Sequence, residues 1–135
     1  MVIIGAGTVC EFAARSAQGL GASVEVFDNS LTKLRSVQHK LQHPIATSTL
    51  QPKNLTRSLS ECDVAIGALR GKTRTPVVVT EEMVQQMKNG AVVIDVSIDN
   101  GGCFETSEIT THSSPTVVKH GVIHYCVPNI PSQYA

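Results

Sequence analysis

Two glycines and two carboxylates are the residues whose types and spacing offer chemistry. Gly5-Ala6-Gly7-Thr8-Val9-Cys10 follows the apolar run Val2-Ile3-Ile4 and keeps the first two glycines of the phosphate-cradling pattern G-x-G-x-x-G, with Cys10 in the third place. In that pattern Gly5 permits a tight turn. Gly7 lets the backbone N–H groups that open the next helix, at Thr8 and Val9, approach a pyrophosphate with no side chain in the way. The same two glycines also serve as a plain strand-to-helix turn. Asp28 ends a second apolar run, about twenty residues beyond the loop, where a carboxylate accepts hydrogen bonds from both ribose hydroxyls of an adenosine. Its charge repels a 2′-phosphate and so favours NAD over NADP; the other role open to it is that of a turn aspartate. Lys33, one helical turn further on, either leans over the adenosine or is simply solvated. Asp99 ends the run Val96-Ser97-Ile98-Asp99, past the carboxyl end of a strand, at the edge where open α/β sheets hold ligands and toward the nicotinamide end. Asn100-Gly101-Gly102 after it is either a tight wrap around a ligand or an ordinary turn.

Other chemistries find less support. His120 and His124 are four apart, but Gly121 breaks the helix that would put them on one face, and His39 and His43 fail in the same way at Pro44, so no metal site is expected. His112 lies in a polar stretch, near a ligand or exposed to water. No Ser-His-Asp set follows from residue order. Cys10, Cys62, Cys103 and Cys126 are scattered without a C-x-x-C pair, which predicts reduced thiols in a cytosolic protein rather than disulfides or zinc. Lysine plus arginine and aspartate plus glutamate both number 11, and a net charge of zero offers no basic face to nucleic acid or an anionic membrane. The start has no basic n-region of a signal peptide, and no segment has membrane-spanning length. Cys10 stands where the pattern governs how closely helix packs on sheet. Cys10→Gly is therefore expected to raise stability more clearly than dinucleotide affinity. Its thiol is either activated by the helix N-terminus or packed and inert.

Apolar, β-branched runs alternate with amphipathic helical patterns along the chain. Strands are expected at Met1 to Ile4, Ser23 to Phe27, Ile45 to Thr49, Asp63 to Gly67, Ala91 to Val96 and Val122 to Val127. A helix from Thr8 to Leu20 carries Phe12, Ala13, Ala17 and Leu20 on one face, and Gly19 and Gly21 end it. Ser30 caps a helix through Leu31, Leu34, Val37 and Leu41; Pro52 to Ser60 is a short helix; Thr80 caps another that runs to Lys88. Leu69 to Pro76 reads as a loop. Ser97 to Ser114 is too long and too polar for a plain connector, and loops of that kind usually carry function. The fold class predicted is α/β: a doubly wound, Rossmann-type parallel sheet in three layers, one domain over residues 1–135. The first strand begins at residue 1, and the last is followed by a proline-broken tail of about eight residues. Both features predict that the domain is part of a two-domain enzyme.

Three segments resemble one known family. VIIGAGTVCEFAARSAQGLGASVEVFDNSLTKL, TPVVVTEEMVQQMKNGAVVIDVSIDNGGCFETSEITTH and PTVVKHGVIHYCVPNIPS are similar to the NAD-binding domain of alanine dehydrogenases, most specifically at V-x-I-D-x-G-G-C-F-E-T-S. The resemblance implies a full-length, cytoplasmic, homo-oligomeric enzyme that converts L-alanine, NAD and water to pyruvate, ammonium and NADH by hydride transfer. It also implies that the substrate-holding lysine and histidine lie in a catalytic domain outside this chain, so that this domain binds cofactor without turnover. Position by position it implies Asp28 and Lys33 as adenosine-ribose contacts and Leu69-Arg70 as a segment beneath the cofactor. Val96, Ser97, Ile98 and Asp99 become the nicotinamide-side wall, with Asp99 the acid/base aspartate, and Val127, Pro128, Asn129 and Ile130 a second wall segment. The sequence departs from the family at Cys10, at Asn100 where glutamine is usual, and in a shorter loop after Arg70. Two rivals remain: the NAD-binding part of a proton-translocating transhydrogenase, which typically lacks the aspartate at position 99, and a cofactor-binding module without chemistry.

Overall fold

A computed structural model of the chain describes residues 1–41, 44–69, 77–98 and 102–127. Seven strands form one sheet: β1 (Val2–Ile4), β2 (Glu25–Phe27), β3 (Ala46–Ser48), β4 (Val64–Gly67), β5 (Val92–Asp95), β6 (Thr116–Lys119) and β7 (Val122–Tyr125). Among the described residues four helices connect them: α1 (Thr8–Gly19), α2 (Leu31–Lys40), α3 (Pro52–Glu61) and α4 (Glu81–Gln85). The strand order is β3-β2-β1-β4-β5-β7-β6, and every pairing is parallel except that of β6 with β7. The chain steps outward from β1 to β3 on one side, then crosses to β4 on the other. The sheet therefore reverses between β1 and β4, and a crevice opens at their carboxyl ends.

Alternation along the strands sends successive residues to opposite faces, and each face has its own core. Val2, Ile4, Ala65 and Val93 join Leu55 and Leu59 of α3, Met83 and Val84 of α4, and Phe104. Ile3, Val26 and Ile66 join Cys10, Ala14 and Ala17 of α1 and Leu34 and Val37 of α2. The result is the three-layer α/β/α arrangement that the sequence pattern predicts.

Three local expectations change. The buried stripe of α1 is Cys10, Ala14 and Ala17, whereas Phe12 is 65% and Leu20 89% exposed. Small residues face the sheet because α1 packs close to it, and the large ones are left outside. Leu31 likewise faces solvent while Leu34 and Val37 are buried. Thr116 to Lys119, to which the sequence pattern assigns no element, is β6, hairpinned onto β7 through His120 and Gly121 with φ of 55° and 75°. Positive φ at both central residues is the turn geometry that matches strand twist, so the outer edge of the sheet is antiparallel.

Candidate functional site

The crevice at the sheet's reversal is a cleft of about 390 Å³ lined by Gly5, Ala6, Gly7, Thr8, Val9, Asp28, Lys33, Ala68 and Leu69. Four separate segments supply these residues: the loop after β1, the end of β2, the first turn of α2 and the loop after β4. Gly5 is held at φ 109°, and a Cβ there would lie 2.6 Å from the carbonyl carbon and oxygen of Ala68. Only glycine lets the β1 loop and the β4 loop approach this closely. Gly7 differs: a Cβ built on it meets nothing within 4 Å, so its missing side chain leaves room in the cleft. Gly7 is also the N-cap of α1, and no side chain caps that helix, whereas Ser30 accepts from the Lys33 N–H on α2 and Thr80 from the Met83 N–H on α4. An uncapped, twelve-residue helix aims its free N–H groups and the positive end of its dipole into the cleft.

Asp28, 8% exposed, spans the gap between two cleft segments. Its Oδ2 accepts from the Ala6 N–H at 2.9 Å and its Oδ1 from the Ser30 N–H at 2.8 Å. The carboxylate thus makes the turn bond that sequence reading left open, and it also fixes the glycine loop. A carboxylate offers about four acceptor positions, so capacity remains for hydroxyls arriving from the cleft.

Cys10 follows at the base of α1, fully buried among Ile3, Ala6 and Ala14. Burial pushes its thiol up to about 12, and the negative charges of Asp28 and Glu11 add to the shift. The thiol is therefore inert at neutral pH. Its sulfur fills core space that a glycine would leave empty, so Cys10→Gly is now expected to destabilise the domain, reversing the expectation drawn from the pattern.

Of the residues singled out from sequence, Gly5, Gly7, Thr8, Val9, Asp28, Lys33 and Leu69 come together in the cleft. Val96, Ser97, Ile98 and Val127 do not line it. Ser97 reaches it indirectly, since its buried Oγ donates to the Leu69 carbonyl at 2.6 Å, with the Gly67 carbonyl at 3.4 Å. Arg70, Asp99, Asn100, Gly101, Pro128, Asn129 and Ile130 lie outside the described residues. His112 and His120 are exposed. No group of three or more metal-binding side chains occurs among the described residues, where all four cysteines are free thiols. No helix there is long and apolar enough to cross a membrane.

Sequence reading missed the polar interior next to the cleft. Asp95, the last residue of β5, is 1% exposed. Its carboxylate accepts from the N–H groups of Ser97 at 3.0 Å, Cys103 at 3.1 Å and Phe104 at 3.4 Å and from the Ser107 hydroxyl at 2.6 Å. Burial raises its pKa, against the lowering effect of Ser107 and the three N–H donors. His124 is fully buried, its Nδ1 2.9 Å from the Val122 carbonyl and its Nε2 2.7 Å from Thr106 Oγ1. A carbonyl only accepts, so Nδ1 carries the proton and Nε2 of the neutral ring accepts from Thr106. Burial lowers the pKa of this histidine. The signal available for Asp95 was an acid inside the apolar run Val92-Val93-Ile94-Asp95-Val96.

The whole chain, residues 1–135, matches the family described as alanine dehydrogenase/PNT, C-terminal domain. It is 44% identical over 136 residues to an alanine dehydrogenase of Halomonas elongata, covering 100% of this chain and 37% of that one. With an alanine dehydrogenase of Bacillus subtilis it shares 46% identity over 133 residues, 97% of this chain and 35% of the relative. A solved L-alanine dehydrogenase superposes with a TM-score of 0.89 at 37% identity, covering 98% of this chain and 37% of the other. A transhydrogenase from Sinorhizobium meliloti superposes with a TM-score of 0.79 at 24% identity over 93% of this chain and 36% of its own, a likeness of fold. The chain thus spans little more than a third of the length of these relatives.

Proposed function

Because the chain belongs to the alanine dehydrogenase/PNT C-terminal domain family, we propose that it is the NAD-binding domain of a cytoplasmic, homo-oligomeric alanine dehydrogenase. The observation that carries this reading is the junction of an open Gly7, an uncapped α1 N-terminus and Asp28 around one cleft. The N–H groups at Gly7, Thr8 and Val9 take the pyrophosphate, since they offer donors and positive potential without a competing side chain. Asp28 accepts from the adenosine ribose hydroxyls, Lys33 lies beside them, and Gly5 with Leu69 and Arg70 forms the cofactor's bed. Val96, Ser97, Ile98 and Asp99 face the nicotinamide, as do Val127, Pro128, Asn129 and Ile130.

In the full-length enzyme NAD would accept the hydride from the α-carbon of L-alanine. Asp99 would accept and return protons as the resulting imine is hydrolysed to pyruvate and ammonium. The domain alone binds cofactor and does not turn over. Calorimetric titration of this chain with NADH and NADPH tests the cofactor assignment: NADH should bind more tightly, and equal affinities remove Asp28 as the ribose clamp. In the full-length protein, Asp99→Asn should lower kcat more than it weakens cofactor binding. Unchanged turnover takes Asp99 out of the mechanism.

A further inference from the structure

We propose that Asp95 is a positioning residue of the cofactor cleft, acting through Ser97 on the wall formed by Leu69; this rests on the cofactor reading above. Asp95 is the only acid within the four-residue strand β5, and a carboxylate as buried as this is retained against a desolvation cost that an apolar residue would avoid. Its bonds run in two directions. Toward the cleft it takes the Ser97 N–H, two residues on, which fixes the backbone that carries the Ser97 side chain. Away from the cleft it takes the N–H groups of Cys103 and Phe104 and the hydroxyl of Ser107. These three donors belong to a segment seated in the core by Phe104 and by the paired N–H groups of Val78 and Val79 on the Cys103 carbonyl. The carboxylate therefore ties Ser97 to a base packed in the core.

From that base Ser97 Oγ reaches the Leu69 carbonyl at 2.6 Å, across the gap between the ends of β5 and β4. Leu69 is the cleft residue against whose N–H a side chain at Gly5 would collide at 2.8 Å. A shift of the Leu69 backbone thus changes the width of the cleft beside the glycine loop. A nucleotide that occupies only the adenosine end is indifferent to such a shift, whereas a dinucleotide that runs on past the glycine loop is not.

The test is calorimetric titration of this chain and its variants with NADH and with AMP, with thermal unfolding recorded for each. Ser97→Ala and Asp95→Asn should each weaken NADH by on the order of three- to ten-fold, the span of one hydrogen bond. AMP affinity should stay within about two-fold, and Ser97→Thr, which keeps the hydroxyl, should restore NADH. Where Asp95→Asn does not fold, Ser107→Ala takes its place, since it removes one of the carboxylate's donors and leaves Ser97 in place. A loss of NADH affinity of roughly two-fold with AMP unchanged is then expected, and no loss overturns the role of Asp95. Unchanged NADH affinity in Ser97→Ala, or a parallel loss of AMP, overturns the proposal while leaving the cofactor reading intact. Failure of the unaltered chain to bind either nucleotide overturns the cofactor reading and the proposal with it.

Discussion

The loop after β1 and the loop after β5 both lie at the carboxyl edge of the sheet, yet they are held in opposite ways. The first is shaped by backbone: a glycine at φ 109°, a second glycine with open space beside it, and one carboxylate that touches from β2. The second is shaped by side chains: Asp95, Thr106, Ser107, Lys119 and His124 bond inward, with Lys119 Nζ on the Thr106 carbonyl at 2.9 Å and on Glu108 at 2.9 Å. Rigidity without occupying the cleft is the advantage of the first device. Inward bonding over the described part of a long excursion from β5 to β6 is the advantage of the second, at the cost of burying polar groups that must all be satisfied. Among the described residues no buried side-chain nitrogen or oxygen lacks a partner, so that condition is met.

The contrast can be broken most sharply at Gly5. Gly5→Ala combines a left-handed backbone with contacts at 2.6 Å to the Ala68 carbonyl and should lower stability by roughly 2–4 kcal/mol in urea titrations. An unaltered midpoint would mean that the loops after β1 and β4 separate easily. Thr106→Val removes the donor to His124 and leaves Nε2 buried without a partner, a loss of about 1–3 kcal/mol by the same measurement. If that loss is absent, the second loop is held by apolar packing alone.

Cys10→Gly empties core volume and adds a glycine to α1, for a loss of about 1–2 kcal/mol; a gain in stability would show the helix strained outward by the thiol. Gly7→Ala should come last on this scale, within about 0.5 kcal/mol of the unaltered chain. Its NADH affinity should nevertheless fall clearly, because the added methyl stands in the cleft. Stability lost without affinity lost would exchange the roles of the two glycines.

Acid titration sharpens the same comparison, because the buried groups of the second loop pull in opposite directions. The folded-state pKa of His124 lies below its ordinary 6.5, so its contribution is present above that value and is lost as pH falls through the folded pKa. That of Asp95 lies above its ordinary 3.8, so its contribution is full below that value and is lost as pH rises through the folded pKa. Denaturant midpoints measured across the acid range should therefore change slope in His124→Gln and in Asp95→Asn with opposite sign. A common sign would show that one of the two assignments of burial is wrong.

These differences also govern what could be read from the letters. Gly5, Gly7 and Asp28 answer backbone requirements that recur where a strand turns tightly into a helix, so their spacing is legible in the letters, and the fold brings them to one cleft. Helix ends at Ser30 and Thr80 were legible for the same reason, a hydroxyl in the place of a cap. The face of α1 that spacing indicates, Phe12, Ala13, Ala17 and Leu20, shares Ala17 with the buried one and is otherwise rotated from it, because close helix-to-sheet packing selects Cys10, Ala14 and Ala17. Thr106 and Ser107 are illegible because polar letters between strands look solvated, and Asp95 because a lone acid at the end of an apolar strand looks like its solvated edge. Only the fold reveals that they turn inward, and no periodicity records a hydrogen bond to a residue 12 or 18 positions away. The strand β6 escaped because its turn, His120-Gly121, places a histidine at positive φ where asparagine or glycine is the familiar sign.

That hairpin also bears on the order in which the sheet assembles. Val118 finds Ile123 across one tight turn, whereas Val2 must find Ala65 and Val64 must find Val92. Hairpins close in about 1–10 μs, while pairings between distant segments first lose the entropy of the intervening loop. The antiparallel edge is therefore the part of the sheet able to form before the chain has found its topology, and β7 can offer a prepared template to β5. The cleft beside the glycine loop exists only once β1 and β4, more than sixty residues apart at Val2 and Ala65, lie side by side.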